Sequence, residues 1–228
     1  MPSTPIMGFG FVEKISRPPR QLVESFKAFP TPNIADAMGR FGAMEYTIKP
    51  IAQGMRVVGP ALTVKLRPGD NLMAHQAIAL AEPGDVIVID ANGNVTNAVW
   101  GEIMSCAALK RGIAGLVIDG AIRDRMAIIE RGFPVFAKAV IPTACDKDGP
   151  GEVNVPISCG GCFVTPGDLV VGDDDGVVVV PQGQLAEVLK KGQDIQTKEE
   201  ARMKEIGSGK VIPAWLGKTM KEKLGSGG

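Results

Sequence analysis

Apolar residues fall along the chain in short runs separated by turn residues, and the period of the runs changes from place to place. Val86-Ile87-Val88-Ile89-Asp90 and residues 114–119 are continuous apolar stretches rich in β-branched side chains and bounded by Gly, Pro or Asp, the pattern of buried strands. Residues 99–111 lie between them with the length and composition of a helix, and Gly112 suits its end. A short helix over 124–131, closed by Gly132, leads to a strand over 133–137. The middle of the chain thus reads strand–helix–strand–helix–strand, which predicts an α/β core with parallel pairing.

The flanks are more broken. Residues 20–26 read as a short helix stopped by Pro30-Thr31-Pro32, and Thr31 or Asn33 can cap a second helix reaching Gly39. Residues 54–66 predict two strands split by Gly59-Pro60. A turn at 68–71 then lets Asn71 cap a helix over 72–80, and the Gly/Asn-rich segment 91–97 reads as a loop. Further on, strands at 169–171 and 177–180 flank Asp174-Asp175-Gly176, a hairpin signal. A long Lys- and Glu-rich helix follows over 185–206, and a terminal appendage with a frayed end at 225–228 closes the chain. No repeat or linker interrupts it. Residues 1–228 therefore read as one domain with a helical extension from about residue 183.

Charge narrows the function. The chain has 25 Lys plus Arg against 25 Asp plus Glu, so no basic surplus argues for nucleic acid. Residues 1–10 lack the charged start and apolar run of a secretory signal, and no stretch approaches the ~18 apolar residues of a membrane span. Four cysteines in 228 residues do not make a disulfide framework. These features predict a cytoplasmic protein that binds neither nucleic acid nor membrane.

Chemistry gathers at two places. Trp100-Gly101-Glu102-Ile103-Met104 stands where a helix begins, and helix N-termini present free N–H groups to carboxylates and phosphates. Gly101 serves equally well as a close-packing residue. Asp119-Gly120-Ala121-Ile122-Arg123-Asp124 follows the end of a buried strand, where α/β sheets bind ligands. Arg123 offers a fork of donors for a carboxylate, and Asp124 offers hard oxygens for Mg²⁺ or Mn²⁺. Asp124 can also simply cap the next helix, with Arg123 its solvated neighbour. No active-site lysine is expected, so nothing argues for a Schiff base.

Other features read as structural. His75, the one histidine, suits a half-buried position or a proton carrier. Cys159-Gly160-Gly161-Cys162 lacks the second pair a zinc ribbon needs, and Asp173-Asp174-Asp175-Gly176 lacks EF-hand spacing.

Glu102, twenty intervening residues, then Arg123-Asp124 resembles the acidic-X20-Arg-Asp signature of the RraA-like family. Residues 112–124, Phe133-Pro134-Val135-Phe136, Pro166-Gly167-Asp168 and residues 174–181 are similar to that family in the same order, so the resemblance spans roughly 30–207. It implies a compact layered α/β sandwich with a mixed sheet, assembled as homotrimers or homohexamers with active sites between subunits.

It also implies roles. Asp124 would hold a divalent cation, Mg²⁺ or Mn²⁺. Arg123 would contact the keto or carboxylate oxygens of a small 2-keto acid. The backbone amides of Gly101, Glu102, Ile103 and Met104 would receive the pyruvyl carboxylate, and Glu102 would orient a water on the cation. Glu199, with Glu200 adjacent, would reach a neighbouring subunit's site. The family includes aldolases of 4-hydroxy-4-methyl-2-oxoglutarate and 4-carboxy-4-hydroxy-2-oxoadipate, which share a pyruvate enolate with oxaloacetate decarboxylation. It also includes regulators of ribonuclease E that perform no such chemistry. Retention of all three signature residues favours the aldolase, and a dedicated oxaloacetate decarboxylase is the other catalytic alternative.

Overall fold

The apolar runs at 86–90 and 114–119 pair side by side as parallel strands. The computed structural model describes residues 7–224, so the expected fraying at 225–228 lies outside the described residues. In chain order, β1 (Phe9–Phe11) precedes α1 (Arg20–Ser25), α2 (Thr31–Ala37), β2 (Lys49–Pro50) and β3 (Val57–Leu66). Then come α3 (Leu72–Leu80), β4 (Val86–Trp100), α4 (Glu102–Lys110), β5 (Gly115–Ile122), α5 (Arg125–Arg131) and β6 (Val135–Val140). Two short strands, β7 (Gly151–Val153) and β8 (Ile157–Cys159), lead to β9 (Cys162–Val164), β10 (Leu169–Asp173) and β11 (Gly176–Val180). The chain finishes with α6 (Leu185–Gly207) and α7 (Ala214–Leu224).

Strands β3, β4, β5 and β6 run parallel, and β7, β10 and β2 join them antiparallel, so the sheet is mixed. All eight β5 residues are buried, as expected of a parallel strand covered on both faces. Ile87, Ile89, Leu116 and Ile118 face the layer of α3, α4 and α5. Val86, Val88, Val117 and Phe136 face the β8–β9 hairpin. The helices α1, α2 and α6 pack on β10 and β11 as a further layer. The expected layered α/β sandwich with a mixed sheet is therefore the observed fold.

Several local expectations are corrected. Gly59-Pro60 does not split a strand, because β3 runs straight through it. The glycine is there for a close crossing, since a Cβ at Gly59 would fall 2.2 Å from the Gly84 carbonyl oxygen. Segment 91–97 is not a free loop. It stays in β4 by shifting register against β5 three times, which delays the helix start from 99 to Glu102. Neither Thr31 nor Asn71 caps its own helix through its side chain. Instead the Thr31 amide and hydroxyl donate to Asp173, at 2.8 and 2.6 Å, and the Leu72 amide donates to Asp70 at 2.9 Å.

Cys159 and Cys162 face each other across a two-glycine turn, free and buried, with burial pushing both thiols up. Among the described residues no helix is long and apolar enough to cross a membrane. The terminal helix α7 buries no residue, and Val211, Ile212 and Trp215 nearby are exposed.

Candidate functional site

Two chain ends create the site, the start of α4 and the exit from β5. Trp100 ends β4 fully buried, stacked on Phe133, with its indole N–H donating to Ser105 Oγ at 2.8 Å. The Ser105 hydroxyl donates in turn to the Gly101 carbonyl at 3.1 Å. This anchors the first turn of α4, whose free amides and positive dipole end point outward. The Arg123 amide donates to the Trp100 carbonyl at 2.9 Å, which ties the β5 exit to the same spot.

Asp124 then adopts a left-handed backbone, φ 61°. Aspartate tolerates that region better than most residues, yet it still costs on the order of 1 kcal/mol, the kind of strain that gathers at functional sites. Although Asp124 occupies the cap position of α5, its side chain makes no capping bond there. Its Oδ2 instead accepts the Glu102 amide at 3.1 Å and lies 3.5 Å from Arg123 Nε. Gly101 makes this approach possible, because a Cβ there would stand 2.6 Å from Asp124 Oδ2.

A cavity of about 200 Å³ opens at this junction. Gly101, Ile103, Met104, Arg123 and Asp124 line it, so five of the residues named from sequence come together. Glu102 contributes its amide, while its carboxylate is turned to Arg131, at 2.9 and 3.1 Å. Glu199 lies elsewhere in the same chain, accepting a 2.7 Å hydrogen bond from Asn33 on α2.

His75 also lines the cavity, and burial, with Lys147 adding, lowers its pKa below the ordinary value. Both influences favour the neutral ring.

Three lining residues carry no chemical signal in the sequence reading: Asn71, Cys145 and Lys147. Lys147 corrects the expectation of no nearby lysine. It belongs to a loop that leaves the C-terminal end of β6, and the strand-end rule that selects Arg123 would have selected this loop too. Asn71 is buried, donates to the Val99 carbonyl at 3.0 Å, and leaves its Oδ1 without a partner among the described residues.

The donor set limits what could bind. Among the described residues no cluster of three His, Cys, Asp or Glu side chains forms a metal cage. Asp124 stands as a single carboxylate, its side chain 41% exposed. That suits Mg²⁺ or Mn²⁺, which keep waters and accept substrate oxygens, and not a zinc site of several protein ligands.

A family model described as RraA-like, Aldolase/RraA, matches residues 31–179. A Halalkalibacterium halodurans protein provisionally named 4-hydroxy-4-methyl-2-oxoglutarate aldolase is 46% identical over 197 residues, covering 86% of this chain and 94% of its own. An uncharacterized protein from Pseudomonas syringae shares the fold with a TM-score of 0.76 at 30% identity, over 86% of this chain and 96% of its own. Streptomyces coelicolor RraAS2, described as an unusual member of the RNase ES inhibitor RraA family, also gives 0.76 at 30% identity, over 83% of this chain and all of its own.

Proposed function

The chain belongs to the RraA-like family, and from that premise we propose that it is a divalent-metal-dependent lyase that cleaves 4-hydroxy-2-keto acids such as 4-hydroxy-4-methyl-2-oxoglutarate to pyruvate. The observation that carries this reading is the convergence of Arg123, Asp124 and the α4 amides on one cavity. Bound at Asp124, Mg²⁺ or Mn²⁺ would supply Lewis-acid polarisation of the C2 ketone.

The chain's own groups do the rest. The amides of Gly101, Ile103 and Met104, beside the Glu102 amide that Asp124 holds, receive the C1 carboxylate at the positive end of α4. Arg123 donates to the C2 oxygen and holds the negative charge that develops there. As the C4 hydroxyl loses its proton through water, the C3–C4 bond breaks. Its electrons form the enolate of pyruvate, and C4 becomes a carbonyl. Protonation at C3 then gives pyruvate. Oxaloacetate loses carbon dioxide through the same enolate.

We also read the site as shared between copies of the chain in a homotrimer or homohexamer. Ile103, 80% exposed on the cavity wall, and Met126, 65% exposed two residues after Asp124, offer apolar surface for a neighbour. Glu199, which does not line this cavity within one chain, would then act on a neighbouring copy's site. Native mass spectrometry tests this, and a monomer at micromolar concentration would refute it.

The activity test is pyruvate release from 4-hydroxy-4-methyl-2-oxoglutarate and from oxaloacetate, with Mg²⁺ and with EDTA. Release from both that EDTA abolishes is the expected result, and the ratio of kcat/KM values ranks aldolase against decarboxylase. EDTA-resistant release trapped by borohydride would point to Lys147 and a Schiff base instead. No release from folded, metal-loaded protein would favour a regulator that binds a ribonuclease without catalysis.

A further inference from the structure

We propose that Asp70 is a positioning residue for this site, its buried carboxylate locking the loop of residues 141–150 onto the turn that opens α3. This rests on the reading that the cavity binds substrate. Asp70 does not line the cavity, so it acts through the residues it holds.

The starting point is a cost. Asp70 is fully buried, and an ionised carboxylate out of water is destabilising unless its lone pairs are satisfied. Here they are. Oδ1 accepts the Leu72 amide at 2.9 Å, and Oδ2 accepts the amides of Asp148 and Gly149, at 2.7 and 2.9 Å. Arg67 Nη2 adds a fourth donor at 3.2 Å. Burial pushes the Asp70 pKa up, but these four donors outweigh it and hold the pKa below the usual carboxylate range.

One oxygen thus serves α3 and the other serves the loop. The backbone follows the same seam, with the Asp146 amide on the Gly69 carbonyl at 2.8 Å and the Asn71 amide on the Asp146 carbonyl at 3.0 Å. Arg67 Nε closes it on the Gly149 carbonyl at 2.7 Å.

The far end of the loop is anchored separately. The Ala98 amide donates to Thr143 and Asn97 Nδ2 donates to Ala144, both at 2.8 Å. Cys145 and Lys147 lie between the two anchors and line the cavity. Asn71 and His75, on the turn and on α3, form the wall next to them. Asp70 therefore joins the two walls, and releasing it changes the width of the cavity and the place of Lys147.

The test uses the Mg²⁺-loaded full chain and two readouts. Cys145 is a free, half-buried thiol inside the latched loop, and Cys106 on α4 is a free, half-buried control outside it. Asp70→Asn keeps the size but loses the charge and one acceptor. Iodoacetamide should then label Cys145 roughly tenfold faster while Cys106 keeps its rate and Cys159 and Cys162 stay protected. kcat/KM for pyruvate release from 4-hydroxy-4-methyl-2-oxoglutarate should fall about 10²-fold, the order expected from a displacement near 1 Å. Arg67→Met, at a side chain 39% exposed, should move both readouts the same way by less.

An unchanged Cys145 rate, or unchanged kcat/KM with Cys145 released, overturns the proposal. If all four thiols rise together in Asp70→Asn, the fold is lost and Arg67→Met decides. If the wild type releases no pyruvate, the functional reading falls, and the Cys145 arm still decides whether the latch exists.

Discussion

Asp119 lies inside β5 and Asp124 two residues beyond its end, and they do opposite jobs. Asp119 belongs to a charged row across the sheet. Glu152, Lys65, Asp90 and Asp119 pair in register on β7, β3, β4 and β5, and Lys138 on β6 meets Asp119 Oδ1 at 2.7 Å. The Gly160 amide from the covering hairpin takes Asp119 Oδ2 at 3.2 Å. Asp119 is thus held by Lys138 and covered by the turn between β8 and β9. Asp124 has one oxygen on an amide and the other free among the described residues, and it faces a cavity. A carboxylate on or just past a strand becomes a ligand site when its acceptors are unspent and reachable, and a structural pillar when they are not.

Asp124→Asn tests this contrast most severely. It keeps the left-handed backbone and the acceptor for the Glu102 amide but removes the charge. Metal-dependent pyruvate release should fall about 10³-fold with little change in Tm, and a steady-state assay beside a melting curve reads both.

Lys138→Met is the mirror experiment. It strands Asp119 as a buried charge, so stability should drop by about 3 kcal/mol, a Tm shift of ~6–10 °C, while kcat/KM of the folded enzyme stays near wild type. Loss of activity without loss of stability would merge the two regions into one functional site.

Gly101→Ala pushes a methyl group against Asp124 Oδ2. A fall of roughly 10²-fold in kcat is expected with the melting temperature nearly kept, because only the Asp124 carboxylate and the part-exposed Arg123 side chain must move.

The gentlest probe is Asp90→Asn. Burial, with Asp119 adding, raises the Asp90 pKa, so folding works against its charged form. For an acid raised in this way, the contribution to stability is full below the unfolded pKa near ~4 and is lost as pH rises through the folded value. The Asn variant should match wild type in denaturant melts at low pH and exceed it at neutral pH. Equal stability at every pH would mean that Asp90 carries no such strain.

The amino-acid sequence by itself determined the alternation of buried strands and helices through the middle of the chain, because runs of Val, Ile and Leu between turn residues leave few other ways to leave water. It also marked Gly101, Arg123 and Asp124, since a helix start and a strand end are local events with local signals. Tertiary structure alone decided what each residue was free to do. Asp173 caps α2 from 142 positions away, Asp70 reaches a loop 78 positions on, and Lys147 arrives at the cavity from beyond β6. Gly59-Pro60 reads as a break in the sequence, and only the fold brings the Gly84 carbonyl beside it. Hydrogen bonds and close contacts of this kind depend on distance in space, and that distance is set only once the sheet has brought its strands together.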